Sequence, residues 1–412
     1  MNSYMSNNRS GRKILSPEQY LILFFLFLGA MNFINRYYYW FFIAFFIFCL
    51  FISKIKFDNT LFPLLGLSLS IVVFSNGDSS LIMNIVKPFI YPLCYILGRG
   101  ILKGFKSDIA KKQNETSISI IIIVLSLGLF VHLLLNLFVN FGSSNRNTID
   151  FWTQTTYSAT GQTALSCLPI AVICATLFSE SKPWQKIISI CALLLILFYN
   201  LILAGRTAFL FVVLCTILAL AYLFFGTKER KFDFKAKLII WMVVLIFLAV
   251  VLYSYNFLNI KNTIIGSNFY KRFFGKQTME ITEDSRFKLK MLYLKNMWGN
   301  FFGGSNIYSI VDGRAHDLFL DTYDYAGIFA LISVIAYIIF SLKNFWCCIL
   351  NKSIDFKIRQ LILCIYFICY MEFMIEPILI GMQWFFAIFC FLDGMLYSYL
   401  DDNKKLLNST KL

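Results

Sequence analysis

Charge is scarce in this chain, at 14% of its 412 residues, and histidine occurs only twice. A soluble domain carries about a quarter of its residues as Asp, Glu, Lys and Arg, so a water-exposed surface of ordinary size is excluded. No cleavable leader is expected either: Met1 to Ser16 is polar and carries Arg9, Arg12 and Lys13, and no small-residue cleavage site follows the first apolar stretch. That stretch reads as an uncleaved first span with a cytoplasmic N-terminus. There is no internal repeat and no low-complexity linker. Cys/His spacing of the kind that binds metal is absent, and none of the eleven cysteines falls in the one long polar stretch. Cys49, Cys94, Cys167, Cys174, Cys191, Cys215, Cys364, Cys369 and Cys390 lie inside apolar runs, while Cys347 and Cys348 sit at a span's end. Free packing thiols are expected, with no structural disulfide.

What fills the chain instead is apolar: 59% hydrophobic residues and 18% aromatics, with a mean hydropathy of +0.70. A crossing helix needs about 20 apolar residues, which leaves room for roughly a dozen spans. The expected fold is all-α, a polytopic membrane bundle forming a single integral domain over 1–412. Spans are placed near 20 to 35, 37 to 53, 61 to 75, 81 to 102, 117 to 140, 160 to 179, 186 to 204, 207 to 226, 237 to 257, 317 to 341, 359 to 376 and 378 to 400. A formal net charge of +15 would suggest nucleic acid in a soluble protein. Here the basic residues cluster in short connections, where they set topology.

Alternation from an inner N-terminus tests that layout. Inner connections hold Lys54 and Lys56, then Lys103, Lys106, Lys111 and Lys112, then Lys182 and Lys186, then Lys228 to Lys237, then Lys343, Lys352, Lys357 and Arg359. Outer turns hold little beyond Arg36, Arg146 and Arg206. The asymmetry predicts twelve spans with both termini cytoplasmic, and it makes 258–315 a large external loop. Within that loop Phe287, Met291, Leu294 and Trp298 recur at helical spacing, with Lys288 and Lys295 on other faces and Asp284 or Ser285 available as a cap. The pattern predicts an amphipathic helix on the outer leaflet, ended by Gly299, Gly303 and Gly304.

Four arginines mark the outer face. Arg146 lies in a polar loop before Thr148-Ile-Asp-Phe-Trp152, Arg206 in the tight turn Leu203-Ala-Gly-Arg-Thr-Ala208, Arg286 at the start of the amphipathic helix, and Arg314 two residues before His316. Guanidinium keeps its charge and offers paired donors to phosphate oxygens, so a cluster suits a lipid-linked diphosphate; for each alone, a headgroup contact or salt bridge is the bland reading. His316, among Arg314, Asp317 and Asp321, suits a general base. His132, inside an apolar run, reads as structural. Asp321 and Asp324, one turn apart, face either a polar cavity or packing partners. Glu372 and Glu376 share a helix face at an outer junction, where arginine pairing or acceptor positioning is expected.

Taken in order, Ala204-Gly-Arg-Thr-Ala208, Asp284-Ser-Arg286, Phe302-Gly-Gly304, Ala315-His-Asp-Leu-Phe-Leu320 and Ala326-Gly-Ile328 resemble the O-antigen polymerase and O-antigen ligase superfamily. The resemblance runs from about residue 145 to 385. Asp317 stands where the family usually has asparagine. The resemblance implies an inverting glycosyltransferase of the bacterial cytoplasmic (inner) membrane. Its donor would be an undecaprenyl-diphosphate-linked oligosaccharide, transferred en bloc on the outer side without metal or nucleotide sugar. It further implies that Arg206 and Arg286 hold the diphosphate, that His316 is the base, and that a chain-length regulator and a flippase are partners. Arg146, Arg314, Asp317 and Glu376 are the accompanying substrate-binding candidates. Ile375-Glu-Pro-Ile-Leu379 and Asn147-Thr-Ile-Asp-Phe-Trp152 look more like the polymerase branch than a ligase acting on lipid A core. A transporter is the rival from another class, suggested by Lys87, Pro88, Pro92 and Arg99 in one span.

Overall fold

The computed structural model describes residues 15–51, 57–75, 81–102, 107–141, 148–179, 181–203, 205–225 and 285–409. Helices dominate. In chain order they are α1 (Pro17–Ala30), α2 (Tyr37–Phe51), α3 (Leu61–Phe74), α4 (Leu81–Val86), α5 (Ile90–Ile101), α6 (Asp108–Val139), α7 (Ala159–Leu177), α8 (Pro183–Ile202) and α9 (Arg206–Phe225). After 226–284 follow α10 (Ser285–Asn296), α11 (Asn306–Val311), α12 (Leu318–Leu350), α13 (Phe356–Ile375), α14 (Ile378–Gly381) and α15 (Gln383–Ser409). The strands among the described residues are β1 (Thr148–Ile149) and β2 (Thr156–Tyr157), an antiparallel pair.

Seven described helices, α6, α7, α8, α9, α12, α13 and α15, are long and apolar enough to cross a membrane, and α1, α2 and α3 are shorter apolar helices. This is an all-α, membrane-embedded bundle. Three spans differ from their sequence reading. The first, expected near 20 to 35, is α-helical only to Ala30 and breaks beyond it at Asn32, Ile34 and Asn35, all with positive φ. The stretch 81 to 102 divides into α4, a 3-10 turn over Lys87–Phe89 and α5, because Pro88 lacks the N–H that would continue the ladder. The last stretch becomes the single turn α14 and then α15. The span expected over 237 to 257 lies outside the described residues. All eleven cysteines are free thiols.

Local chemistry sets several helix starts. Ser16 and Gln19 cap α1 reciprocally, with Pro17 at the first position; Ser158 caps α7 and Asp355 caps α13. In packing, α15 lies against α5 and α12, and α12 also meets α3 and α13; α7 is surrounded by α6, α8, α9 and α13. Between α5 and α15 the backbones approach closely. A Cβ at Gly98 would stand 2.0 Å from the Phe391 carbonyl oxygen, and one at Gly394 would stand 2.2 Å from that of Tyr95. Only glycine permits this crossing, which is how helices associate where the surroundings are as apolar as the side chains.

A break in α12 positions the segment that precedes it. Gly327 has φ 77° and ψ −172°, a conformation open essentially to glycine alone. In an unbroken helix the Ile328 N–H would donate to the Asp324 carbonyl. Here Ile328 N–H donates to Phe301 O at 2.9 Å, and Asp324 O accepts from Ser305 N–H at 2.8 Å. Gly304 N–H likewise donates to Tyr325 O at 3.2 Å. Residues 301–305 thus fill the gap, and Gly303 (φ 76°) leaves no room for a Cβ against Gly327 N, 2.5 Å away.

Candidate functional site

The same end of the bundle collects the N-terminus of α12, the C-terminus of α13 and the whole of α10. His316, just before α12, has φ 55°, a left-handed backbone that costs a non-glycine residue about 1–3 kcal/mol. Asp321 holds it there. Its Oδ1 accepts from Ala315 N–H at 3.0 Å and its Oδ2 from Asp317 N–H at 2.9 Å, so the carboxylate grips the residues on both sides of the histidine. Asp324 does the same for α11, accepting from Ile307 N–H at 2.8 Å and Tyr308 N–H at 3.2 Å. Both carboxylates are buried. Of the two readings open to this pair, packing partners is the one realised, through backbone clamping.

Glu376 is the centre of the cluster. Its Oε1 accepts from Arg286 Nη2 at 3.2 Å, and its Oε2 lies 3.6 Å from His316 Nδ1. The second distance is an ion-pair separation, longer than a hydrogen bond. The Glu376 side chain is 2% exposed, His316 28% and Arg286 35%, so the imidazole and the guanidinium reach the surface while the carboxylate between them does not. Arg286 Nη1 also donates to Ile375 O at 3.0 Å. Glu372, one turn earlier, is fully buried, with Glu376, Arg286 and the Cys167 thiol as neighbours.

Helix α10 supplies this contact through one stripe. Arg286, Lys290, Tyr293 and Met297 recur at intervals of four, three and four and face the protein. Lys290 Nζ donates to Asp317 Oδ2 at 3.1 Å and to Met374 O at 2.7 Å. Tyr293 is buried, its hydroxyl donating to Gly313 O at 2.9 Å. Burial, reinforced by Asp324 and Asp321, pushes that hydroxyl well up, so it stays a donor. Tyr323 donates to Met297 O. The expected apolar stripe is the opposite one: Phe287, Met291, Leu294 and Trp298 are all exposed.

The candidates separate accordingly. Arg286, His316 and Glu376 meet. Asp317 is adjacent, but it caps α12 by accepting from Phe319 and Leu320 N–H and pairs with Lys290. Arg314 lies 4.2 Å over the Tyr308 ring, with a buried Nη1 that has no hydrogen-bond partner. Arg206 opens α9, and its side chain lies outside the described residues, as do Arg146 and the 258–284 part of the loop. The Arg206 backbone is still located: Gly205 N–H donates to Asn200 O at 2.9 Å, and the Gly205 Cα faces Asn200 Oδ1 and Thr163 Oγ1. Thr163 is one turn before Cys167 on α7, which puts the start of α9 at the end of the bundle that holds Glu372 and Glu376. Lys290 was missed; its spacing of four from Arg286 was the available signal.

The other histidine is structural, as expected. His132 Nε2 lies 2.8 Å from Asp150 Oδ2, with both side chains buried. Asn136 accepts from Phe151 N–H at 2.8 Å, and Asn140 bonds both N–H and C=O of Ile149 at 2.7 Å, which sews the β-hairpin to α6. Burial pushes the Asp150 carboxyl up, but His132 and the Thr153 and Trp152 N–H groups outweigh it, so it titrates below the usual value. Among the described residues, no group of three or more His, Cys, Asp and Glu side chains is placed to hold a metal. No protein-family model matches the chain, and no curated protein does.

Proposed function

We propose that this protein is a polysaccharide polymerase that transfers an undecaprenyl-diphosphate-linked glycan onto a second lipid-linked repeat unit at the outer face of the bacterial cytoplasmic membrane. The observation that carries the reading is the meeting of Arg286 and His316 on the two oxygens of buried Glu376. An acceptor sugar hydroxyl attacks the anomeric carbon of the donor glycan. The new C–O bond forms as the bond to the diphosphate breaks, and the polyprenyl diphosphate leaves with its growing negative charge. His316 Nε2 takes the hydroxyl proton, and Glu376 beside Nδ1 stabilises the imidazolium that results. Arg286 donates to the departing diphosphate, the place where charge develops, and Arg206 and Arg146 add to that site. The partly exposed Arg286 and His316 face the substrate, and Arg314, Asp317 and Lys290 line its approach.

In this reading twelve spans leave both termini in the cytoplasm, the apolar stripe of α10 rests on the outer leaflet, and the polyprenyl tail lies between spans. A flippase supplies the substrate and a chain-length regulator acts on the product. Purified protein mixed with the undecaprenyl-diphosphate repeat unit and no metal should give a ladder of longer products. Product that forms only when lipid A core is added would favour the ligase instead. Uptake into vesicles with no new glycosidic bond would favour the transporter and overturn both. A ladder left intact by Arg286→Ala or His316→Ala would remove these residues from the chemistry.

A further inference from the structure

At the far end of α12, on the order of 40 Å from His316 at about 1.5 Å per residue, a cleft of about 770 Å³ opens between the C-terminal turns of α12 and α15 and the turn before α3. Its size is that of a small-molecule site. α12 brings Phe340, Lys343, Asn344, Trp346 and Leu350 to the lining, apolar and polar groups side by side, and α15 brings Lys404. Trp346 is 54% and Leu350 72% exposed, so this apolar part of the lining stands on the bundle's outer surface, where lipid chains lie.

The polar lining groups are short of partners. Asn344 is nine-tenths buried, yet its Nδ2 donates to nothing, although a buried donor normally finds an acceptor. Lys343 and Lys404 have no acidic partner among the described residues. The one acidic residue of the lining, Asp401, is already paired with Lys405 at 2.7 Å. The rim is rigid. Asp58 accepts from Thr60 N–H at 2.8 Å and from the Tyr95 hydroxyl at 3.0 Å, and pairs with buried Arg99 at 2.8 Å. Arg99 in turn lies 4.1 Å from the ring of Tyr397, which lines the cleft.

We infer that this cleft binds an anionic phospholipid, with its phosphate between Lys343 and Lys404, a phosphate or glycerol oxygen on Asn344 Nδ2, and its first chain segments along Phe340, Trp346 and Leu350. Two ammonium groups with no acidic partner among the described residues and an unused amide donor call for an oxyanion. An apolar lining continuous with the bundle surface demands that the anion carry a hydrocarbon tail. Lysines at this depth reach a headgroup by extending along their own methylene stems, and each contributes to the attraction of anionic lipid. The inference is independent of the proposed enzyme activity.

Native mass spectrometry of the full chain in detergent, titrated with short-chain phosphatidylglycerol, phosphatidylcholine or inorganic phosphate, tests it. Phosphatidylglycerol should give a retained one-to-one adduct, weakened roughly 30-fold by Lys343→Gln with Lys404→Gln and several-fold by Asn344→Leu. Lys352→Gln, at a lysine outside the lining, should leave it unchanged. Equal retention of phosphatidylcholine, or a double variant that binds as the parent does, would overturn the site. Inorganic phosphate binding as tightly as the lipid would overturn the lipid assignment in favour of a soluble phosphate ligand.

Discussion

Glu376→Gln keeps the size of the side chain and removes the charge on which Arg286 and His316 converge. Breaking a fully buried ion pair costs about 3–5 kcal/mol, and an exposed one contributes about 0–1 kcal/mol. With Glu376 2% and Arg286 35% exposed, the pair lies between these limits, and we expect a stability loss of about 1–2 kcal/mol. The effect on transfer should be larger, because the imidazolium loses its counter-charge. A positioned base contributes about 10²- to 10⁴-fold. At 3.6 Å the histidine contact is loose, so a loss near the lower end, roughly a hundredfold, is expected. The assay is elongation of a purified lipid-linked repeat unit, read as initial rate, beside thermal unfolding in the same detergent. A cycle with Arg286→Gln should show coupling of about 1 kcal/mol. Full activity in Glu376→Gln, or strictly additive losses in the cycle, would refute the geometry as the basis of catalysis.

Asp321→Asn should release the backbone around His316, cutting elongation at least tenfold on the scale set by a misplaced base while the chain still folds; unchanged rates would show that the left-handed turn holds without its clamp. Gly98→Ala requires the Phe391 carbonyl to retreat by more than 1 Å from its 2.0 Å approach, and should lower stability by about 1–3 kcal/mol, visible as a lower midpoint in detergent and absent if α5 and α15 slide freely. Asp150, whose folded value lies below the ordinary 3.8, stabilises the hairpin fully above that pH and loses this contribution as pH falls through the lower folded value. Melting compared at pH 6 and pH 3 should show a larger drop for the parent than for Asp150→Asn; equal drops would contradict it.

The residues of the cluster were legible because charge in an apolar chain has few bland explanations: Arg286, His316 and Glu376 each stood out. Their meeting was not, since Arg286 and Glu376 are 90 residues apart and no local pattern joins them. Asp321 was seen and left with two readings, because which one holds depends on the φ of His316, and a histidine codon says nothing of φ. Lys290 escaped for the opposite reason: on an amphipathic helix a lysine four residues from an arginine reads as a solvated face, and only the placement of Asp317 turns it inward. Hydropathy located the long helices well, but it averages over Lys87 and Pro88 and so merged α4 with α5. The cleft between α12 and α15 had no trace in sequence, since Lys343 looked like an ordinary inner-side topology residue.

The gap at Gly327 also bears on how the chain is made. Backbone groups left open in hydrocarbon cost several kcal/mol each, so α12 cannot settle in the bilayer as an independent helix and wait for its neighbours. The segment that closes the gap, 301–305, precedes Gly327 by some two dozen residues and leaves the ribosome first. It therefore emerges ahead of the break, and synthesis in the N-to-C direction delivers the patch before the tear. A circular permutation that placed 301–305 after α12 would keep every contact of the finished fold and lose that order.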